Sequence, residues 1–461
     1  MKENIITTLQ TLRRYAAQKG VDASFFFHYE DSFLMRFANS AISLNTSEHL
    51  LQLGITIYEG RKRVSCQLIT ELHNLDEMKK EVDRTAEIVK HAQPLNYTPT
   101  IPEYEESFID ESGYDDALAN ISNEERLAYF NHAAAGLESE VIQLSGIFSK
   151  GTTMAAQLNT RSEHYQSFKT SDAQITLVLS HKSLKWEVIA EQSAQRKTDL
   201  NPEQLHADLA YLLERYQHDQ PQQLPLGRYD IVFGPAAISA MIEKMDLTGF
   251  DGGSMKRGLS FIKEECINTQ FLSKKFTLTD DPNDIRTFPF KRDFTGIERK
   301  TFPIFKKGIF KGFTWYQDDA DEFGARASGH TVMHKSLVLD SGDYAVNSLE
   351  ELVHQPRDND LLYIPYLHYL NYVNFSKGLI TGSSRYGALL LKQDGSVTVP
   401  YNVRITQSLQ DIFGGKIAWV STAQTVYNIS GGYGVRNPTA IVVPMFIRVN
   451  DVEISHSNSS Y

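Results

Sequence analysis

Leu50-Leu51-Gln52-Leu53-Gly54-Ile55-Thr56-Ile57-Tyr58-Glu59-Gly60-Arg61-Lys62-Arg63-Val64-Ser65-Cys66-Gln67 is the stretch that decides the fold class. Residues 50–58 and 61–67 are β-type runs, and Glu59-Gly60 between them is turn chemistry that sends the chain back antiparallel. Upstream, residues 23–29, 32–38 and 41–46 read as further short strands. Ile5, Ile6, Leu9 and Leu12 recur at helical spacing ahead of Gly20, and residues 75–91 return to a helical period behind the hairpin. Helix, antiparallel sheet, helix is an α+β arrangement and not a βαβ one.

Pro94, Pro99 and Pro102 then mark a loop followed by Glu103, Glu105 and Glu106. A helix is expected over 123–136, strands over 141–150, 153–159, 164–179 and 186–192, and a helix over 202–217. Gln220-Pro221-Gln222-Gln223-Leu224-Pro225 is the best domain linker in the chain. Beyond it β signals dominate. A strand at 229–233 leads into a Gly234-Pro235 helix start, hairpins turn at Lys307-Gly308 and Gln393-Asp394-Gly395, 409–413 reads as a helix, and 440–449 as one buried strand. The expected organisation is an N-terminal α+β unit (1–95), a central α+β segment (110–220) and a β-rich C-terminal domain (226–461).

The 461 residues are too many for one ordinary core, and their apolar and charged fractions (41% and 22%) are those of a globular chain. A formal net charge of −11, with no run of Lys and Arg, argues against a dedicated nucleic-acid binder. Cys66 and Cys266 make neither a disulfide framework nor a zinc knuckle, which favours a reducing compartment. The first ten residues lack the apolar run of a signal peptide, and no stretch is long enough to span a membrane. The expected location is cytoplasmic.

His330 and His334 have the i, i+4 spacing that would place two imidazoles on one helical face. Gly329 and the β-branched Thr331 and Val332 argue against a helix there, and on a strand residues four apart lie roughly 13 Å from one another. Glu243 with Asp246, and Glu264-Glu265, read more cheaply as solvated faces than as acid–base pairs. Thr381-Gly382-Ser383-Ser384-Arg385 is a bend that presents hydroxyls and a guanidinium, groups suited to a carboxylate or a peptide terminus. Nucleophile-elbow, Walker and dinucleotide-binding fingerprints are missing from the sequence.

Arg36-Phe37-Ala38-Asn39-Ser40, Asn45-Thr46-Ser47-Glu48 and Gly54-Ile55-Thr56-Ile57-Tyr58-Glu59-Gly60-Arg61 resemble the N-terminal signature of the TldD/PmbA family, once called modulators of DNA gyrase. The resemblance continues through Leu278-Thr279-Asp280-Asp281-Pro282, Gly308-Ile309-Phe310-Lys311-Gly312-Phe313 and Thr381 to Ala388, so it covers nearly the whole chain. It implies a metallopeptidase frame. In the TldD branch a His-Glu-x-x-x-His helix and a distal cysteine hold zinc. Placed by the shared Arg257-Gly258 turn, those positions fall here on Glu243, Lys244 and Thr248, and the cysteine near Asn428 to Ser430. All depart together, so the resemblance implies no metal in this chain and zinc only in a TldD-like partner.

Ala327-Ser328-Gly329-His330 is similar to the Thr-Thr-Gly-His-Ala-Gly of the PmbA (TldE) branch. That branch implies a homodimer, or a heterodimer with a TldD-like subunit, enclosing a peptide chamber and working in proteolysis or peptide maturation. Gly329, His330, Thr381, Ser384 and Arg385 are the expected peptide-binding positions, with no catalytic residue of its own. Two alternatives stand beside this: a self-sufficient hydrolase using His330, His334 or His368, and a protein-binding regulator of DNA gyrase.

Overall fold

The computed structural model describes residues 2–218, 220–430 and 435–460, and it is a mixed α+β chain built on three sheets. The quoted hairpin sits in the first. Strands β1 (Asp22–Ala38), β2 (Ala41–Glu59), β3 (Lys62–Ile69), β4 (Phe108–Gly113), β5 (Ile142–Asn159), β6 (Gln166–His181) and β7 (Glu187–Ala194) form one seven-stranded sheet. Its order is β3-β2-β1-β5-β6-β4, with β7 paired to β6.

The short strands expected at 23–29 and 32–38 are one strand of 17 residues, and those at 41–46 and 50–58 one of 19. Register runs unbroken through the polar Glu30 and Asp31 between the two expected runs, Glu30 opposite Leu50 and Asp31 opposite His49. The turn is Gly60-Arg61, one residue later than expected, because Glu59 still pairs with Lys62.

Helices Lys2–Gln18 and Leu75–His91 cover one face of this sheet. Ile5, Leu9 and Leu12 of the first and Met78, Val82 and Val89 of the second pack with Phe25, Phe27, Leu53 and Ile55 in one buried cluster. Because β1 pairs with β5 along most of its length, segments 1–95 and 110–220 contribute to a single sheet. The central segment also shares a core with the C-terminal half. Leu209, Leu212 and Tyr216 of helix Pro202–His218 cluster with Val232, Leu361 and Leu389 beyond the linker. The linker is tied down as well, Gln222 pairing with Val399 and Tyr401 through its backbone.

Two sheets make up the C-terminal half. A nine-stranded sheet carries Gly227–Phe233 at its centre, parallel to Leu361–Ile364 and antiparallel to Ile447–Ser457, with Tyr366–Asn374 at one end of its order. A six-stranded sheet includes Leu278–Asp280, Phe302–Lys306, Leu337–Leu339, Gln424–Asn428 and Ala440–Pro444. The strand expected at 440–449 is therefore two, Ala440–Pro444 and Ile447–Ser457, and the chain crosses between sheets at Met445-Phe446. Lys307 and Gly308 both have φ near the left-handed region (49° and 74°), as a two-residue hairpin requires.

The N- and C-terminal halves are joined by a buried charge. Arg436 is 5% exposed and donates from Nε and Nη2 to the two carboxylate oxygens of Asp172, both at 2.7 Å; Asp172 is 0% exposed. Its Nη1 donates to Ser149 at 2.7 Å and its backbone N–H to Glu30 at 2.6 Å. Breaking a buried pair by removing one partner strands the other charge, typically at a loss of about 3–5 kcal/mol. Asp172→Asn is accordingly expected to lower unfolding free energy by about 3 kcal/mol or more in urea titration, whereas exposed Asp76→Asn should change it by under about 0.5 kcal/mol.

Candidate functional site

Helix Pro235–Lys244 starts on Gly234, where a Cβ would come within 3.0 Å of the Pro365 backbone and the Tyr363 hydroxyl. Its apolar side, Ala237, Ile238, Met241 and Ile242, is buried in the C-terminal core. At Met245–Gly249 the helix widens into a π turn, a form that recurs at functional sites. Tyr372 fixes that transition: its hydroxyl donates to the Lys244 carbonyl at 2.6 Å and accepts from Thr248 Oγ1 at 3.2 Å. Burial pushes the Tyr372 phenol up to about 12.

Three of the positions picked out by the resemblance, Glu243, Lys244 and Thr248, follow one another along this helix and its π turn, and the helix packs against the strand Gln424–Asn428 that precedes the fourth, Ser430. Their chemistry is not that of a zinc site. Lys244 brings an ammonium. The Thr248 hydroxyl is engaged by Tyr372, and the Ser430 hydroxyl accepts from the Thr439 N–H at 2.6 Å and donates to the Thr439 carbonyl at 3.2 Å. Glu243 alone offers a donor that zinc would take, and zinc needs about three. Its side chain opens to solvent, yet the protein crowding it raises the carboxyl pKa, opposed by Lys244. Among the described residues no three His, Cys, Asp or Glu side chains converge as a metal would require.

A buried ammonium stands at the same turn. Lys335 Nζ lies 2.6 Å from Asp246 Oδ1 and 3.3 Å from the Tyr316 hydroxyl, with its side chain 2% exposed. Burial disfavours its charge, but Asp246 and Tyr316 outweigh that and hold it protonated. The Asp246 carboxylate is thereby neutralised from within the chain, so the reading of Glu243 with Asp246 as a solvated face is corrected for Asp246. Nothing near Asp246 in the sequence marks this partner, which is 89 residues away.

His330 is not on a peptide-facing surface. It is 2% exposed, its Nε2 lies 2.9 Å from Asp280 Oδ2, and Ser328 Oγ meets its Nδ1 at 2.8 Å. Arg299 adds two bonds to the same carboxylate, at 2.7 and 2.6 Å, and the Ser336 N–H a third at 2.6 Å. Burial alone would raise Asp280, but the His330 ring and the Arg299 guanidinium hold it well below the usual carboxylate range. Gly329 (φ 75°) supplies the left-handed turn into this knot. His334, in the same irregular segment, goes elsewhere: its Nε2 meets the Phe288 carbonyl at 2.8 Å. The two histidines thus have separate partners.

Arg385 is where the sequence expectation meets a cavity. A pocket of about 360 Å³ opens between the N-terminal sheet and the C-terminal half, lined by Lys185, Glu187, His368, Arg385, Tyr386 and Arg404 among others. Arg385 donates from Nε (3.0 Å) and Nη2 (2.7 Å) to Glu187 Oε2 at the start of β7, and its Nη1 is 3.3 Å from His368 Nε2. Burial and the adjacent guanidinium both lower the His368 pKa. Ser384 and Thr381 are not free for a ligand. Ser384 Oγ accepts from the Val403 N–H at 2.9 Å, and Thr381 Oγ1 donates to the Ile405 carbonyl at 3.1 Å, both stitching neighbouring strands. Lys185, Glu187 and Arg404 carry no local mark of the pocket in the sequence, and Glu187 is 198 positions from its partner Arg385.

The fold is a mixed α+β frame of three sheets, and the helix at Pro235–Lys244 with its π turn carries no set of metal donors among the described residues. A family model described as the PmbA/TldA metallopeptidase C-terminal domain matches residues 226–456, and the chain belongs to the PmbA/TldD family. A search of curated proteins finds no match. Among solved structures it is similar to TldE from Thermococcus kodakarensis (15% identity, TM-score 0.79), covering 97% of this chain and 100% of that one. Proteins described as candidate modulators of DNA gyrase from Thermotoga maritima and Bacteroides thetaiotaomicron are also similar. Their identities are 15% and 16%, their TM-scores both 0.75, and they cover 97% of this chain and 99% and 98% of theirs. At these identities the likeness is one of fold.

Burial pushes His334 down from its ordinary value of 6.5 to about 4. Below pH 6.5 the unfolded chain takes up a proton that the folded chain refuses until about pH 4. Stability should therefore be full above pH 6.5 and fall by roughly 3 kcal/mol across that window. Thermal melts at pH 7.5 and 4.5 should show this loss in the native chain and a smaller one in His334→Gln.

Proposed function

We propose that this chain is a PmbA/TldE-like subunit of proteolysis or peptide maturation that shapes a peptide-binding chamber without a metal of its own. The observation that carries the reading is the segment Glu243 to Thr248. The helix, its glycine start and its packing are all present, while Tyr372 and Lys335 occupy its polar groups from inside the chain. A frame kept with its donors replaced suits a chain that binds and orients a peptide for a zinc-bearing relative. In such a partner, water activated by zinc would attack the peptide carbonyl; this chain supplies walls. The partner is a second copy or a TldD-like subunit, and the compartment is the cytoplasm.

A self-sufficient hydrolase is less well supported, because His330 is consumed by Asp280 and His334 by the Phe288 carbonyl. Metal analysis decides between them. The purified chain is expected to hold well under one zinc per protomer, and mixing with a His-Glu-x-x-x-His relative is expected to produce peptide hydrolysis that the relative alone shows weakly. Stoichiometric zinc that disappears in His330→Ala would overturn the metal-free reading.

Tyr372→Phe tests the turn itself. It removes the side-chain donor from the Lys244 carbonyl and the acceptor of the Thr248 hydroxyl, and about 1–3 kcal/mol of stability should be lost in denaturant titration.

A further inference from the structure

The pocket around Arg385 carries more positive charge than its walls neutralise. Lys185, Arg385 and Arg404 line it against the single carboxylate of Glu187, an excess of two positive charges in a chain of net charge −11. Arg385 is engaged by Glu187. Among the described residues, Lys185 and Arg404 have no carboxylate within ion-pair distance, and the Arg404 guanidinium meets only the Thr381 hydroxyl, at 3.3 Å. Cations gathered in a concave wall and left unpaired are arranged for an anion. His368 adds no charge, because burial and Arg385 favour its neutral ring.

A second feature says which anion. The pocket opens beside Tyr366–Asn374, the end strand of the nine-stranded sheet, which pairs with Leu379–Arg385 on one side. That strand and the turn after it expose Tyr369 (71%), Val373 (56%) and Phe375 (43%). An unpaired edge with apolar side chains accepts an extended peptide through main-chain hydrogen bonds. His368 and Tyr369, on this strand, also line the pocket, so a peptide laid along the edge reaches the pocket mouth, and its last residue turns inward across Leu379–Arg385 to reach Arg404, two strands in from the edge. Tyr386 and Tyr216 form aromatic walls for its last side chain.

We propose that the cavity between Lys185–Glu187 and the Arg385 strand receives the free C-terminal carboxylate of an extended peptide, with Arg404 and Lys185 as its counter-charges and Arg385 as the fixed, Glu187-held wall between them. The proposal rests on the peptide-chamber reading and adds polarity to it: the peptide enters with its C-terminus in this pocket.

The test uses the full chain and calorimetric titration with an N-acetylated apolar pentapeptide, as the free acid and as the C-terminal amide, with inorganic phosphate as a third probe. The acid should bind at least tenfold tighter than the amide, and Arg404→Gln and Lys185→Gln should each erode that difference. Because Lys185 is exposed at a turn, Lys185→Gln keeps the test readable if Arg404→Gln fails to fold. Equal binding of acid and amide would overturn the carboxylate pocket while leaving the peptide chamber standing. Phosphate competing as well as the acid, with no peptide binding, would assign the pocket to a small oxyanion and overturn the proposal. Zinc dependence of the same titration would instead count against the metal-free chamber.

Discussion

Arg436 and Asp172 meet in the interior as a two-pronged ion pair, and the relation between the two halves of the molecule depends on it. A guanidinium in that position is tolerable because each of its three nitrogens has a partner, Asp172 for Nε and Nη2 and Ser149 for Nη1, while Glu30 takes the backbone N–H. It is also tightly seated. A Cβ on Gly151 would fall 2.6 Å from Arg436 Cδ, so the strand it crosses must carry glycine there. Arg436 also lies between the Asn428–Ser430 end of one strand and the start of Ala440–Pro444, where Thr439 closes onto Ser430. The N-terminal sheet therefore anchors the segment that leads into Ala440–Pro444.

The cleft results from the same joint. Glu187 begins β7 of the N-terminal sheet, Arg385 ends a strand of the C-terminal sheet, and their ion pair spans the seam where the pocket opens. Beneath it the two halves share one apolar core through helix Pro202–His218. Charge placement then separates two kinds of site. Asp280, Asp246 and Asp172 are each matched internally by a cation, and those knots are structural. Around Arg385 the cations outnumber the carboxylate, and that surplus faces a cavity.

Local chemistry was legible in the sequence where local chemistry decides. The Gly-Pro start of helix Pro235–Lys244, the Lys307-Gly308 turn and helix Leu409–Phe413 all stand where turn and capping residues place them. Long strands were under-read because Glu30 and Asp31 look like punctuation until Arg436, 406 positions later, explains a buried Glu30. The apolar run at 440–449 has no local mark of a change of sheet, since both halves are buried. His330 was legible as unusual but not as structural: its partner Asp280 is 50 positions away in a motif that looks like an ordinary turn. Of the binding bend, only Arg385 has its charged head in the pocket, because strand pairing, which no spacing reveals, consumes Thr381 and Ser384.

Peptide recognition that stands apart from metal is the property on which this view of the chain turns. Binding of a fluorescein-labelled extended peptide to the chelator-treated full chain, followed by anisotropy with and without added zinc, tests it most directly. Saturable binding with the same Kd in both conditions, and no cleavage of the labelled peptide, is the predicted result. Binding that appears only when zinc is added, or cleavage by the chain alone, would contradict it.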